Sequence, residues 1–254
     1  LLHQLGERLD HALRYTAVIG ASLLRLHLTP VLEGARARHG AQWTTMLDHA
    51  RRVLTEAARQ GATRGVALAI ENHQDLTSEE LLAMATEAGD NVGVVMDTGN
   101  PFAVGEDPVA FARRAASRIR HVHLKDYRAQ FTPQGYRLVR CAIGDGCVPL
   151  AEIGAALPTG LTASLEPGAL EARHIRLFEA SWWDGYAPRE ARELATALGR
   201  LQHRRLGDDE DTRTPWEAGA DGAALMQYEL EQVERSMRNV QAMGLAFPTV
   251  TSAS

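Results

Sequence analysis

Apolar residues recur at helical spacing from Leu5 to Ala21 (Leu9, Leu13, Val18), and the run Leu23 to Leu28 then reads as a short buried strand. A helix over Trp43 to Gln60 leads into a strand over Val66 to Asn72. The cap Thr77-Ser-Glu-Glu80 opens a third helix, which leads into the strand Val92 to Asp97. A helix over Pro108 to Ser117 leads into the strand Ile119 to Leu124. A polar excursion from Tyr127 to Arg140, a short helix near Leu150 to Leu157 and a last strand, Leu161 to Glu166, complete the alternation. Beyond Glu166 the pattern predicts only helices, over Ala187 to Gln202 and Ala223 to Met243. In the latter, Met226, Leu230, Val233, Met237 and Val240 predict one buried face, set against the barrel or a partner subunit. The tail Pro248 to Ser254 is expected to fray. Residues 1–202 thus read as the main domain, 203–221 as a polar linker and 222–254 as a helical extension with its tail.

Strand–helix alternation of this kind implies a parallel sheet, closed as a barrel or doubly wound. Side chains alternate between the faces of a strand, and each strand here divides in the same way. Val66, Leu68 and Ile70 oppose Ala67, Ala69 and Glu71; Val94 and Met96 oppose Gly93, Val95 and Asp97. Val122 and Leu124 oppose His121, His123 and Lys125; Ala163 and Leu165 oppose Thr162, Ser164 and Glu166. One face is apolar, and the other ends in an ionisable group. Glu71, Asp97, His123 and Glu166 would therefore converge at the C-terminal mouth of a barrel, where such folds place their active sites. Three carboxylates and an imidazole suit one divalent ion, Mn²⁺ or Mg²⁺ first, with Co²⁺ and Zn²⁺ as alternatives. The bland alternative is that each group is satisfied separately, for instance by Lys125 or Arg25.

Composition narrows the partners. The chain has 254 residues, 45% hydrophobic and 23% charged, as in an ordinary globular domain. A formal net charge of −5 gives no basic field for nucleic acid, so a small polar substrate fits better. No apolar run approaches a membrane span, and the N-terminus lacks a signal pattern, from which a cytoplasmic setting is expected. Cys141 and Cys147 are too few for a disulfide framework and read as ordinary, partly buried thiols.

The segments Ile70-Glu-Asn-His73, Met96-Asp-Thr-Gly-Asn100, His121-Val-His-Leu-Lys-Asp126 and Ser164-Leu-Glu-Pro167 resemble the successive metal-site motifs of the sugar isomerase/epimerase (xylose-isomerase-like) superfamily, in the same order. The resemblance covers roughly Leu9 to Arg176 and implies a (β/α)8 TIM barrel. It implies metal ligation by Glu71, Asp97, His123 and Glu166, with Glu71 and Glu166 as the catalytic acid/base pair. On that alignment the strands seen are about five of the eight, N-terminally incomplete, with roughly 70–90 residues of barrel expected before Leu1 and Leu23 to Leu28 at an open sheet edge. Two departures stand out: Asn100 occupies the place of a substrate-binding histidine of ketose 3-epimerases, and their arginine after the metal histidine has only an offset counterpart, Arg128. The related endonuclease IV type needs more histidines than these loops hold.

Around the metal set, His27, His73, Asn100, Lys125, Arg173 and His174 are candidates for substrate binding, with Glu171, Arg137 and Arg140 as further polar groups and Trp182-Trp183 as pocket lining. Each has a structural alternative, such as a loop arginine in solvent. The function expected is a divalent-metal-dependent sugar isomerase or epimerase, acting through an enediolate next to the carbonyl of a keto-sugar or sugar acid. The alternatives are a metal-dependent decarboxylase or lyase of an oxo-sugar acid, and a non-catalytic partner or binding subunit. Nothing in the sequence decides against a homo-oligomer.

Overall fold

In a computed structural model, residues 2–28, 36, 39–40, 42–207 and 209–245 are described, with the side chains of 2–7 left aside. Helix α1 (Leu2–Val18), strand β1 (Leu23–Leu26), α2 (Gln42–Ala62), β2 (Ala67–Glu71), α3 (Ser78–Ala88), β3 (Val92–Asp97), α4 (Pro108–Ala115) and β4 (Ile119–Leu124) alternate as the periodicity indicates. After them come β5 (Asp126–Thr132), β6 (Gly135–Cys141), α5 (Leu150–Ala156), β7 (Thr162–Leu165), β8 (Arg173–Ile175), α6 (Ala191–His203) and α7 (Gly222–Ala242). The starts are set by local chemistry. Thr77 and Glu80 form a reciprocal capping box at α3, and Asp107 caps α4, with proline at its first turn.

Strands β1-β2-β3-β4-β7 form one parallel sheet in that order, a curled half-barrel of the (β/α)8 architecture with β1 at its edge. The apolar rows face the helices: Leu68, Ile70, Val94, Met96 and Val122 join Leu47, Leu54, Leu81, Met84, Phe111 and Ile153 in one core. Burial of each such side chain contributes roughly 1.5–3 kcal/mol. The opposite row is open at the sheet edges, where Arg25 and Ser164 are exposed.

Three expectations are corrected. The stretch Tyr127 to Arg140 is not a loose excursion but an antiparallel hairpin, β5–β6, and β8 adds to it as a third strand, so Glu166 does not close the strand pattern. Its inner row, Tyr127, Ala129, Tyr136 and Leu138, is buried, while charged residues on the outer row gave the segment its polar appearance. The apolar stripe of α7 is not its buried face: Met226, Leu230 and Met237 are 62%, 53% and 49% exposed. The packed side is partly polar. Ser236 Oγ accepts from Ile143 N at 2.9 Å, and Asn239 Nδ2 donates to Ile143 O at 2.8 Å, so hydrogen bonds orient this helix together with Val240, which packs against the core. Residues 204–221 are tied to the hairpin by Leu206 N to Ala129 O at 2.7 Å and a two-pronged Arg137–Glu217 pair at 2.6 and 2.7 Å. Both cysteines are free thiols. The tail beyond residue 245 lies outside the described residues.

Asp126, where β4 passes into β5, fixes the loop that follows the hairpin. Its carboxylate accepts from the backbone N–H of Tyr127 (2.8 Å), Gly144 (2.9 Å), Gly146 (2.9 Å) and Val148 (3.0 Å). A Cβ at Gly146 would stand 2.2 Å from Asp126 Oδ1, so only glycine fits there. Removing this carboxylate strands several buried donors. Asp126→Ala is expected to cost roughly 2–4 kcal/mol in urea unfolding, and Gly146→Ala a similar amount; a loss below about 0.5 kcal/mol, the usual scale of a neutral surface change, would contradict this account of the loop.

Candidate metal and acid/base site

The last axis-facing residues of β2 and β3, His123 near the end of β4, and Glu166 just after β7 meet at one place. One ligand atom each from Glu71, Asp97, His123 and Glu166 lies within 4.8 Å of the others. His123 Nδ1 is 3.0 Å from Glu71 Oε1 and 3.3 Å from Glu166 Oε2. The parallel register places these groups side by side: Asp97 pairs opposite His123, and Glu71 opposite Val95.

Asp97 is fully buried and held on every side. Its Oδ1 accepts from Gly99 N (2.9 Å) and Asn100 N (3.0 Å), and Lys125 Nζ contacts its Oδ2. The Asn72 side chain bonds the Asp97 backbone twice, accepting from its N–H at 2.7 Å and donating to its carbonyl at 2.9 Å. Thr98 does the same for Lys125, donating to its carbonyl at 2.7 Å and accepting from its N–H at 2.9 Å. Asn72 and Thr98 had not stood out in the sequence. Their signal is position alone, a short polar residue directly after a strand-ending acid.

Three cations face the three carboxylates. Arg25 from β1 contacts Glu71 Oε2, Lys125 lies 3.0 Å from Glu166 Oε1, and Arg140 from β6 is 3.8 Å from the same oxygen. Burial drives Glu166 toward protonation, but the hydrogen bonds from His123 and Lys125 and the charge of Arg140 outweigh it and hold the group well below the usual carboxylate range. Glu71 is likewise lowered, His123 and Arg25 overcoming its burial. Burial also opposes the charge on His123, yet hydrogen bonds to Glu166 and Glu71 raise it to about 9. Burial pulls Asp97 upward and Lys125 pulls it down; with two backbone amides on its other oxygen, the carboxylate is the form this geometry serves.

The donor set fits a divalent cation. Glu71 Oε2 and Glu166 Oε2 are buried and meet only the charged contacts of Arg25 and His123, and the mix of oxygen and imidazole suits a hard or borderline ion. Of the remaining candidates, Lys125 belongs to the cluster, and His27 and His73 stack beside Glu71 with ring centroids 5.4 Å apart. Burial lowers both rings, His73 to about 4, and His73 Nδ1 is buried without a hydrogen bond. Asn100 donates to Asn72 O at 2.9 Å. Arg173 and His174 stand on β8, where Arg173 pairs with Glu171 at 3.2 Å and His174 lies 3.0 Å from Thr132 Oγ1. Trp182 is buried, and Trp183 donates to Leu177 O at 2.8 Å. Arg128 is turned to Glu210, at 2.8 Å, while Arg140 reaches the site.

The family model described as xylose isomerase-like TIM barrel matches residues 4–167. Among curated proteins, the rhizopine catabolism protein MocC of Rhizobium meliloti is 37% identical over 102 residues, 39% of this chain and 30% of that protein. An inosose dehydratase of Clostridium beijerinckii is 32% identical over 107 residues, 40% of this chain and 34% of that one. The chain spans about a third of the length of these curated relatives. A solved xylose isomerase-like TIM barrel protein from Mycobacterium smegmatis, in complex with magnesium, aligns with a TM-score of 0.53 at 16% identity, over 80% of this chain and 69% of that one. That likeness shows the fold.

Breaking the buried Lys125–Asp97 pair on one side leaves an uncompensated charge. In chelator, Lys125→Met is expected to lower unfolding stability by roughly 3–5 kcal/mol, and the double variant with Asp97→Asn by less than the sum of the two single losses. Additive losses in urea titrations would show that the two groups are not coupled.

Proposed function

Since the chain belongs to the xylose isomerase-like TIM-barrel family, we propose that it is a divalent-metal-dependent enzyme that moves a proton at the carbon next to the carbonyl of a keto-sugar, sugar acid or keto-cyclitol. Glu71, Asp97, His123 and Glu166 would hold one ion, Mg²⁺ or Mn²⁺. When bound, the ion supplies polarisation of the substrate carbonyl. The observation that carries the reading is the convergence of one ligand atom each from Glu71, Asp97, His123 and Glu166 within 4.8 Å of one another at the ends of four neighbouring parallel strands.

These glutamates are the acid/base pair. Both are held ionised by neighbouring cations, so each can accept a proton from carbon without first losing its own. One removes the proton to leave an enediolate and becomes the acid; it returns that proton to the neighbouring carbon, or the other glutamate, protonated from solvent, delivers one to the opposite face while the first releases its proton to solvent. Lys125 and Arg140 stand where they can offset negative charge growing on the substrate oxygens. His27 and His73, neutral and stacked, offer hydrogen bonds to hydroxyls at the same mouth. A second reading, loss of water after the same proton removal, is favoured by the inosose dehydratase from Clostridium beijerinckii.

Solvent-deuterium incorporation into a panel of keto-sugars and keto-cyclitols tests the shared first step. Glu71→Gln and Glu166→Gln are each expected to slow exchange by roughly 10²–10⁴-fold, and a chelator to abolish it. If both variants hold metal and exchange at the normal rate, the base lies elsewhere. Ion binding also requires neutral His123, which is raised to about 9 in the metal-free protein. Below that pH the ion competes with a proton, so calorimetric metal affinity is expected to rise by up to about tenfold per pH unit from 6 to 9 and then level off; an affinity independent of pH would remove His123 from the ligand set.

A further inference from the structure

Glu166 is the most open of the four converging groups, 32% exposed against 0% for Glu71 and Asp97, so a substrate reaches the cluster from its side. Two cations crowd that side. Lys125 Nζ is 3.0 Å and Arg140 Nη2 is 3.8 Å from the same oxygen, Glu166 Oε1. Arg140 is carried in by β6, where it pairs opposite Tyr127. Its Nη1 donates to Pro167 O at 3.1 Å, and a Cβ at Gly168 would stand 2.3 Å from that nitrogen. Glycine at 168 thus leaves room for the guanidinium, and the chain on either side of it holds the group in place.

The charges around the cluster favour one class of substrate. Glu71, Asp97 and Glu166 are matched by Arg25, Lys125 and Arg140, so these six groups are neutral together before any ion enters. A divalent cation makes the assembly two charges positive, and it takes over the neutralisation of carboxylates that Lys125 and Arg140 otherwise provide. Cations released in this way, in a place removed from water, attract an anion strongly. A guanidinium offers two parallel N–H groups, a geometry matched to a carboxylate. Resting on the metal-dependent reading above, we infer that the substrate is an anionic keto acid whose carboxylate is received by Arg140 beside Glu166. Arg128, the first arginine after the metal histidine in sequence, is engaged with Glu210 and leaves this role to Arg140.

Calorimetry with the full chain at saturating magnesium tests the inference with two probes of matched size, 2-keto-D-gluconate and D-fructose, which differ in a carboxylate against a hydroxymethyl group. The wild type is expected to prefer the anionic probe by roughly 10- to 100-fold, the range of one charge-assisted pair. Arg140→Gln is expected to erase most of that preference, its affinity for 2-keto-D-gluconate falling roughly tenfold or more beyond any change for D-fructose, whereas Arg140→Lys, which keeps the charge, retains much of it. Equal affinities in the wild type, no binding of 2-keto-D-gluconate, a preference that survives in Arg140→Gln, or a parallel loss of both probes in that variant overturns the inference. The preference without any proton exchange in the deuterium assay would sink the enzymatic reading and leave this one standing; proton exchange with equal affinities does the reverse.

Discussion

The carboxylates of Glu71, Asp97 and Glu166 cannot share a space less than 5 Å across, two of them fully shielded from solvent, unless positive charge stands among them. Much of the molecule near the barrel mouth answers to that constraint. Arg25 arrives from the neighbouring strand, Lys125 from two residues after His123, and Arg140 from a hairpin that folds back over the mouth. Asn72 and Thr98, each bonded twice to the backbone of the next strand, keep Asp97 and Lys125 at the register where their charges meet. The fold places the acids together, and the cations make the placement tolerable in the absence of an ion.

The half-barrel supplies the directions. Parallel strands end on the same side of the sheet, and an in-phase register brings residues of equal rank into one row. The helix-facing rows form a continuous apolar core, leaving the other row free to carry polar groups. The hairpin β5–β6, held at its base by the four amides on the Asp126 carboxylate, adds a cation that no strand of the main sheet provides.

Much of this was legible in the sequence, for reasons that differ by element. The four strand ends were readable because bulky residues on one face alternate with small ones that end in an acid or histidine on the other, a pattern with period two that needs no tertiary information. The hairpin was hidden: Arg128, Gln130 and Arg137 on its outer row mask the buried inner row of Tyr127, Ala129, Tyr136 and Leu138. The orientation of α7 was misjudged because its packed side holds Ser236 and Asn239 beside Val240, and the contribution of the first two lies in hydrogen bonds that a count of apolar residues cannot register. Arg25 was foreseen only as a satisfying salt bridge, the alternative to a metal set, and Lys125 both as such a bridge and as a substrate-binding candidate. The structure brings these cations and the four converging groups to one place, so the salt bridges and the cluster that could hold an ion are not exclusive alternatives.

The central claim is that four strand ends form one site for one divalent ion. Manganese titration of the full chain, read by electron spin echo envelope modulation, tests it most directly, because a directly bound imidazole nitrogen couples to the electron spin. The account expects one tightly bound Mn²⁺ per chain, with a single histidine nitrogen coupling that disappears in His123→Gln. No tight binding, or a bound ion whose spectrum lacks that nitrogen, would contradict it.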